Sequence, residues 1–323
     1  MNFLVTGGAG YIGSHLVKKL IKNRDTVDIV DNFSTGHKWA VKDCNIYEVD
    51  MMNSYELNKL LKSKKYDGIF HFAAKSIVAE SNKLPIYYYQ NNITGFLNLI
   101  DLMIKNGNKN IIFSSTAAVY GLPESNKIDE NHSKKPINTY GMTKLVIENM
   151  LKDFYYKNGI NSVIFRYFNA AGADDIGDIG ELHEPETHLI PNIINAAINN
   201  RTVKVFGKNY NTFDGTCIRD YIHVNDIADS HILGLKKIFK NGGHYAYNLG
   251  NGEGFSVLEI INSCEKILGK KIKFEIHEPR EGDPDKLIAD SQKAKTELNW
   301  KPKYQTIDSI LKTAINWHLK NKK

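Results

Sequence analysis

From its first residues the chain alternates short apolar runs with stretches whose apolar residues recur at helical spacing. The runs "NFLVT", "TVDIVD", "NIYEV", "DGIFHFAA", "NIIFSS" and "NSVIFRYF" are rich in Val, Ile and Phe and read as strands. Six strands alternating with helices predict an α/β architecture: a parallel sheet covered by helices on both faces. The regularity ends after Tyr167 to Asn169. There "AAGADDIGDIGELHEPETH", rich in Gly, Asp and Pro, predicts irregular backbone that is functional or marks a boundary. Beyond it the pattern predicts a helix over 189–199, a strand in "TVKVFG", a helix from about His223, a strand in "HYAYNLG", and helices near 256–268 and 306–320. The expected division is 1–168 and a smaller mixed half, 169–323, with elements around 222–250 returning to the first sheet.

The first strand runs straight into "GGAGYIGSH", which opens an amphipathic helix. Gly7 suits a tight turn, Gly10 lets backbone approach a pyrophosphate, and Gly13 lets the helix lie close on the sheet. The helix N-terminus adds amides and a positive dipole end. The second strand ends in Asp31, followed by Asn32. A carboxylate there accepts hydrogen bonds from an adenosine ribose and repels a 2'-phosphate, which favours NAD over NADP. Ligands of parallel sheets sit at the carboxyl ends of strands, so Asp50 and Met51 fall beside the adenine. By the same rule Phe72, Ala73 and Ala74 of "HFAA" fall on the nicotinamide side.

In "NTYGMTK", Tyr140 and Lys144 lie four residues apart on a predicted helix, close enough to be neighbours. A phenol titrates near ~10 and is a poor base at neutral pH unless positive charge favours the phenolate. Lys144 and an oxidised nicotinamide are expected to lower it, so that Tyr140 takes a proton from a sugar hydroxyl while hydride leaves the same carbon. Alone, the pair also fits an aromatic anchor beside a snorkelling lysine. The fifth strand's end, "FSSTAAVYG", adds the hydroxyls of Ser114, Ser115 and Thr116, and Pro136 restrains the loop before the helix.

Composition narrows the class. Over 323 residues, mean hydropathy of −0.38 and 24% charged residues are ordinary for a globular protein. The net charge of +6 comes from lysines scattered on helix faces and in the terminal "KNKK". With no arginine-rich, aromatic-interleaved stripe it predicts no nucleic-acid partner, while a modest positive field suits an anionic small substrate. No run reaches the ~18 apolar residues of a membrane span, and no signal-peptide pattern opens the chain. Three separated cysteines, Cys44, Cys217 and Cys264, without metal-ligand spacing point to reduced thiols and a cytoplasmic location. In "HEPETH", His183, Glu184 and His188 fit no helical or zinc spacing and a proline interrupts them, so no metal is expected and His188 reads as a substrate-loop residue.

Taken in order, "TGGAGYIGSH", "HFAA", "YYYQNNITG", "FSSTAAVYG", "TYGMTK", "RYFNAAGA", "GTCIRDYIHVNDIA", "YNLGNGEGFSVLE" and "PREGDPDKLIADSQKA" resemble the UDP-glucose 4-epimerase family of the extended short-chain dehydrogenase/reductase superfamily. The resemblance implies a Rossmann-type doubly wound sheet with a smaller mixed α/β substrate domain, tightly held NAD, and reversible interconversion of UDP-glucose and UDP-galactose in galactose metabolism. It implies that Tyr140 deprotonates the 4-hydroxyl, that Lys144 holds the nicotinamide ribose, and that Thr116 hydrogen bonds the reacting oxygen. It also implies cofactor contacts at Tyr11, Ile12, Asn91, Ser114 and Tyr167. Contacts to the UDP part are implied at Asn169, Leu189, Phe206, Arg219, Tyr221, Arg280 and Asp283. Two arginines suit a diphosphate and Asp283 suits a ribose hydroxyl; on their own, the arginines read as surface ion-pair partners. Leu287 falls where relatives vary between tyrosine and small residues, which bears on N-acetylated sugars, and Lys75, one place before Ser76, receives no role. A homodimer built on helices of the first domain is also implied.

Rival readings are an epimerase of UDP-N-acetylhexosamines, uronates or pentoses, a sugar-nucleotide 4,6-dehydratase, and an NAD-sensing regulator without catalysis. A dehydratase needs further acid and base groups just after the fifth-strand hydroxyls, where this chain carries Ala117 and Ala118. A regulator has no need of the Tyr/Lys pair.

Overall fold

A computed structural model describes residues 1–280 and 282–321; Glu281 of the "REGD" segment and the last two lysines of the tail lie outside the described residues. Among the described residues there are thirteen strands. They are β1 (Asn2–Thr6), β2 (Thr26–Asp31), β3 (Asn45–Glu48), β4 (Gly68–His71), β5 (Asn110–Thr116), β6 (Asn161–Tyr167), β7 (Asn169–Ala171), β8 (Val203–Phe206), β9 (Ile218–His223), β10 (His244–Leu249), β11 (Gly254–Ser256), β12 (Phe274–His277) and β13 (Lys286–Leu287). The α-helices are α1 (Tyr11–Lys22), α2 (Ser54–Ser63), α3 (Val78–Lys83), α4 (Pro85–Tyr89), α5 (Gly95–Lys105), α6 (Thr139–Asn158), α7 (Leu189–Asn199), α8 (Val224–Asn241), α9 (Val257–Leu268), α10 (Gln292–Glu297) and α11 (Ile307–Lys320).

All six expected strands form, and they join β10 in one seven-stranded sheet of order β10-β6-β5-β4-β1-β2-β3. The pairs β1–β2, β1–β4, β2–β3 and β4–β5 are parallel. In this order β1 has β2 on one side and β4 on the other, so the strand order reverses between β1 and β4, and such sheets bind ligands at the carboxyl ends of their strands beside such a switch point. Leu4, Val30, Ile69, Ile111 and Phe113 from the strands pack with Phe96, Leu99, Ile100, Ile147 and Leu151 from α5 and α6, all of them almost fully buried. Burial on that scale is the main force holding the sheet to its helices.

The chain forms two compact units: 1–121, 133–166 and 228–247 make the first, and 122–132, 167–227 and 248–323 the second. The sequence pattern suggests a break at 168/169 with a return around 222–250; the chain in addition passes into the second unit at 122–132. Most of α8 and the start of β10 belong to the first unit. In the second unit β9 is flanked by β11 (antiparallel), β13 (parallel) and β7 (parallel), and β8 pairs β12 in a separate parallel ribbon. Its core is aliphatic: Ile193 and Ile194 of α7, Ile260 and Ile261 of α9, and Ile310 and Leu311 of α11. Ser256 caps α9 in a reciprocal capping box with Glu259, which fixes where that helix starts. Among the described residues no helix is long and apolar enough to cross a membrane.

Candidate active site

In the first unit the glycine turn follows β1 directly. Gly7 adopts φ +69, and its amide donates to the Val30 carbonyl at 2.8 Å. A Cβ on Gly7 would lie 2.5 Å from the Ala73 nitrogen, so the turn and the "HFAA" segment approach more closely than any side chain permits. Gly13 is under the same constraint, with the Gly7 carbonyl 2.3 Å from where its Cβ would sit. Gly10 differs. Its nearest neighbour would be at 3.4 Å, so protein packing does not demand glycine there. A glycine with room beside it, placed at the N-cap of α1 next to Tyr11 and Ile12, is the arrangement a pyrophosphate needs.

Asp31 is buried at the end of β2, where Oδ2 accepts the Ala9 amide at 2.9 Å and Oδ1 the Phe33 amide at 2.8 Å. Burial pushes its carboxyl above the usual carboxylate value, opposed by these two amides. A carboxylate offers about four acceptor positions, so two remain for ribose hydroxyls. Asn32 donates to Asp50 at 2.7 Å, which joins the ends of β2 and β3, and the Met51 carbonyl accepts from Asn98 at 3.0 Å. Phe72 and Ala73 both donate amides to the Thr6 carbonyl, at 2.9 and 3.1 Å, which brings Ala73 and Ala74 beside the glycine turn. Asn91 donates to Asn92, which in turn holds the Lys75 amide; the Lys75 ammonium donates to Ser34 at 3.2 Å. These residues present amides, the carboxylates of Asp31 and Asp50 and the room beside Gly10, and that set fits NAD.

Tyr140 sits in the first turn of α6, which Asn138 caps through the Gly141 amide at 2.8 Å. The Ser81 hydroxyl accepts the Tyr140 amide at 3.1 Å. One turn on, Lys144 is buried with its Nζ donating to the Ser114 carbonyl at 2.7 Å, 4.8 Å from the Phe113 ring centroid and 5.9 Å from that of Tyr140. Burial pushes the Tyr140 phenol up to about 12, partly offset by a hydrogen bond from the Thr116 side chain. Burial also pulls the Lys144 ammonium down to about 7, against the pull of Glu148. In the chain without cofactor, burial thus outweighs the Lys144 charge at the phenol, and the second charge of the expected pair, the oxidised nicotinamide, is the one still to act.

Sequence reasoning missed Glu148. It lies one turn beyond Lys144, where Oε1 accepts from Ser115 Oγ at 2.6 Å and Arg166 Nε at 2.9 Å, and Oε2 accepts from Arg166 Nη2 at 2.7 Å. Arg166 also donates to the Tyr120 hydroxyl at 2.8 Å. The i, i+4 spacing from Lys144 and the charge inside "VIFRYF" were the available signals. A lone arginine in a buried strand needs a carboxylate partner.

In the second unit β9 carries the expected nucleotide-binding residues. Tyr221 pairs in register with Asn169 on β7, and Arg219 pairs with Leu287 on β13. Arg219 is almost fully buried. It donates to the carbonyls of Ile218 and Pro284 at 2.8 and 2.9 Å and to Asp283 at 2.7 Å, so two residues expected to meet the nucleotide hold each other. The Arg280 guanidinium lies 4.4 Å over the Phe206 ring. Leu189 opens α7 and His188 precedes it as N-cap, its Nδ1 2.5 Å from Glu181 Oε1. Tyr167, expected at the cofactor, opens this unit's middle segment, 167–227, and is buried.

The "HEPETH" loop departs from its linear reading. Although the spacing fits no helical or zinc template, the backbone curls so that Glu181, His183, Glu186 and His188 turn one ligand atom each toward a common point, all within 4.8 Å of one another.

A family profile described as the NAD dependent epimerase/dehydratase family matches residues 3–250. A curated UDP-glucose 4-epimerase from Halalkalibacterium halodurans is 46% identical over 319 residues, covering 98% of this chain and 96% of the relative. Among solved structures, UDP-glucose 4-epimerase from Brucella ovis in complex with NAD has a TM-score of 0.94 at 42% identity, covering 97% of each chain. The Bifidobacterium longum enzyme in complex with NAD+ and UDP has a TM-score of 0.94 at 36% identity, covering 99% of each chain.

Proposed function

From the premise that this chain belongs to the NAD-dependent epimerase/dehydratase family, we propose that it interconverts UDP-glucose and UDP-galactose by reversible epimerisation at C4 through a 4-keto sugar. Near-complete coverage by UDP-glucose 4-epimerases carries this reading, because it includes both the unit with the glycine turn and Tyr140 and the unit with Arg219 and Arg280. Bound NAD would supply the acceptor, and afterwards the donor, for the hydride at C4.

The chain's own residues supply the rest. Tyr140 removes the proton of the 4-hydroxyl and later returns it, a role that needs a group within hydrogen-bond reach of that oxygen. Thr116, whose side chain draws the phenol's pKa down, steadies the same oxygen. Because burial holds Tyr140 at about 12, its deprotonation depends on the added positive charge of the oxidised cofactor. Asp31 receives the adenosine ribose, and the glycine turn receives the pyrophosphate. For inversion the 4-ketohexose must present its other face, so binding energy belongs on the nucleotide and not on the hexose. Arg219 and Arg280 suit the diphosphate, and Asp283, Asn169, Leu189, Phe206 and Tyr221 the remainder of UDP. Ala117 and Ala118 lack the acid and base that dehydration requires.

Two accompanying readings are proposed. Three free cysteines favour a cytoplasmic location. Exposed Ile86, Tyr89 and Leu97 on the helices of the first unit favour a homodimer; sedimentation as a monomer would refute that. For the reaction itself, purified protein with no added cofactor should equilibrate UDP-glucose and UDP-galactose with deuterium at C4 retained. Inertness of cofactor-loaded protein refutes the proposal, and deuterium uptake at C5 from heavy water would instead mark a 4,6-dehydratase.

A further inference from the structure

We propose that Glu181, His183, Glu186 and His188 form a structural site for a four-coordinate divalent metal, with zinc the best match to two imidazole nitrogens and two carboxylate oxygens. The distances carry the assignment. His183 Nδ1 lies 3.5 Å from Glu181 Oε1 and 3.6 Å from Glu186 Oε2, and His188 Nδ1 lies 3.6 Å from Glu186 Oε1. Zinc bonds of 2.0–2.2 Å place tetrahedral N and O ligands about 3.3–3.6 Å apart, so the two edges from His183 to the carboxylates are nearly at length. The His188 contact at 3.6 Å runs to the other oxygen of Glu186, and no two of the four ligand atoms lie more than 4.8 Å apart, a spread that metal binding would draw in. The edge from His188 Nδ1 to Glu181 Oε1, at 2.5 Å, is a hydrogen bond. Metal binding opens that edge by about 1 Å and releases its proton to solvent.

His183 Nδ1 is buried and has no hydrogen-bond partner, because both carboxylates stand beyond hydrogen-bond range. A buried imidazole nitrogen aimed between two carboxylates suits a metal better than a proton. Glu186 is already oriented, since its Oε1 accepts the amides of Thr187 and His188 at 2.9 Å each and leaves Oε2 toward His183. The loop is anchored just upstream: a Cβ on Gly180 would lie 2.5 Å from the Trp317 ring on α11, so backbone there presses flat on the indole. Four protein ligands close the coordination shell, which is the structural kind of zinc site; oxygen-only cations such as magnesium and calcium do not prefer two imidazoles. The site has no step in hydride transfer. It fastens the loop leading into α7, where His188 is N-cap and Leu189 the first helical residue.

The test uses the full-length protein with its cofactor. After chelator treatment, incubation with zinc sulfate and desalting, the wild type should hold about one zinc per chain, and E181Q and H183A below about a tenth each. Cobalt in place of zinc should give the intense visible absorption of four-coordinate cobalt, a readout needing no variant. Each variant is checked for retained NAD, so that loss of metal is not loss of fold. A wild type retaining below about a tenth of an equivalent, H183A retaining as much as wild type, or the pale spectrum of six-coordinate cobalt would each overturn the site.

Discussion

Lys144 offers the sharpest test, because an ammonium buried against a phenyl ring should show itself in a proton balance. Its pKa falls from 10.5 to about 7 as burial disfavours the charge, which at 1.36 kcal/mol per pH unit corresponds to roughly 5 kcal/mol. Lys144→Met keeps the stem and removes the charge. It also gives up the hydrogen bond to the Ser114 carbonyl, worth about 1 kcal/mol, so cofactor-free variant protein should be more stable than wild type by roughly 2 to 4 kcal/mol at neutral pH. The sign follows from the protons bound. Between about 7 and 10.5 the unfolded lysine holds a proton that the folded one has lost, so wild-type stability climbs with pH by ~1.4 kcal/mol per unit relative to the variant. The gap should be widest and flat below about 7 and close as pH approaches 10.5. Urea unfolding over a pH series measures the gap, and difference titration of wild type against variant locates the proton directly. A gap independent of pH, with the proton still released near 10.5, would refute the account of Lys144.

Tyr140→Phe should keep NAD and lose about 10²- to 10⁴-fold in turnover; an unchanged steady-state rate would remove the phenol from its role. Glu148→Gln strands buried Arg166 and should lower stability by roughly 3–5 kcal/mol, read from the urea midpoint, with a change below about 1 kcal/mol counting against the pair. Gly10→Ala should fold normally, since its Cβ meets nothing closer than 3.4 Å, yet weaken NAD at least about tenfold by obstructing the pyrophosphate. Unaltered affinity by fluorescence titration would place the pyrophosphate elsewhere.

What could be read in advance divides along physical lines. The six sheet strands are continuous Val/Ile/Phe runs because most of them are buried on both faces, so burial wrote itself into composition. The short β11 and β13 and the largely exposed β12 carry no such signal: they form because β9 and β8 lie beside them. The glycine turn and Asp31 were legible because few residue types satisfy a tight turn before a helix. Glu148 was not, since its importance comes from Arg166 on another element. Nor was the burial of the Lys144 ammonium legible, as spacing gives proximity and says nothing of dielectric. In "HEPETH" the donors converge through loop curvature, which no fixed periodicity encodes.

The interleaved course of the chain has a consequence for how it must be made. The edge strand β10 lies after β6, β7, β8 and β9 in sequence yet hydrogen bonds beside β6. On the ribosome the dinucleotide-binding sheet therefore stays one strand short until synthesis has passed residue 249. During that interval β6 presents an open row of amides and carbonyls, the kind of edge that recruits stray strands. A gene cut after residue 168 would make that transient state permanent, so the two units are partners in biosynthesis and not interchangeable modules.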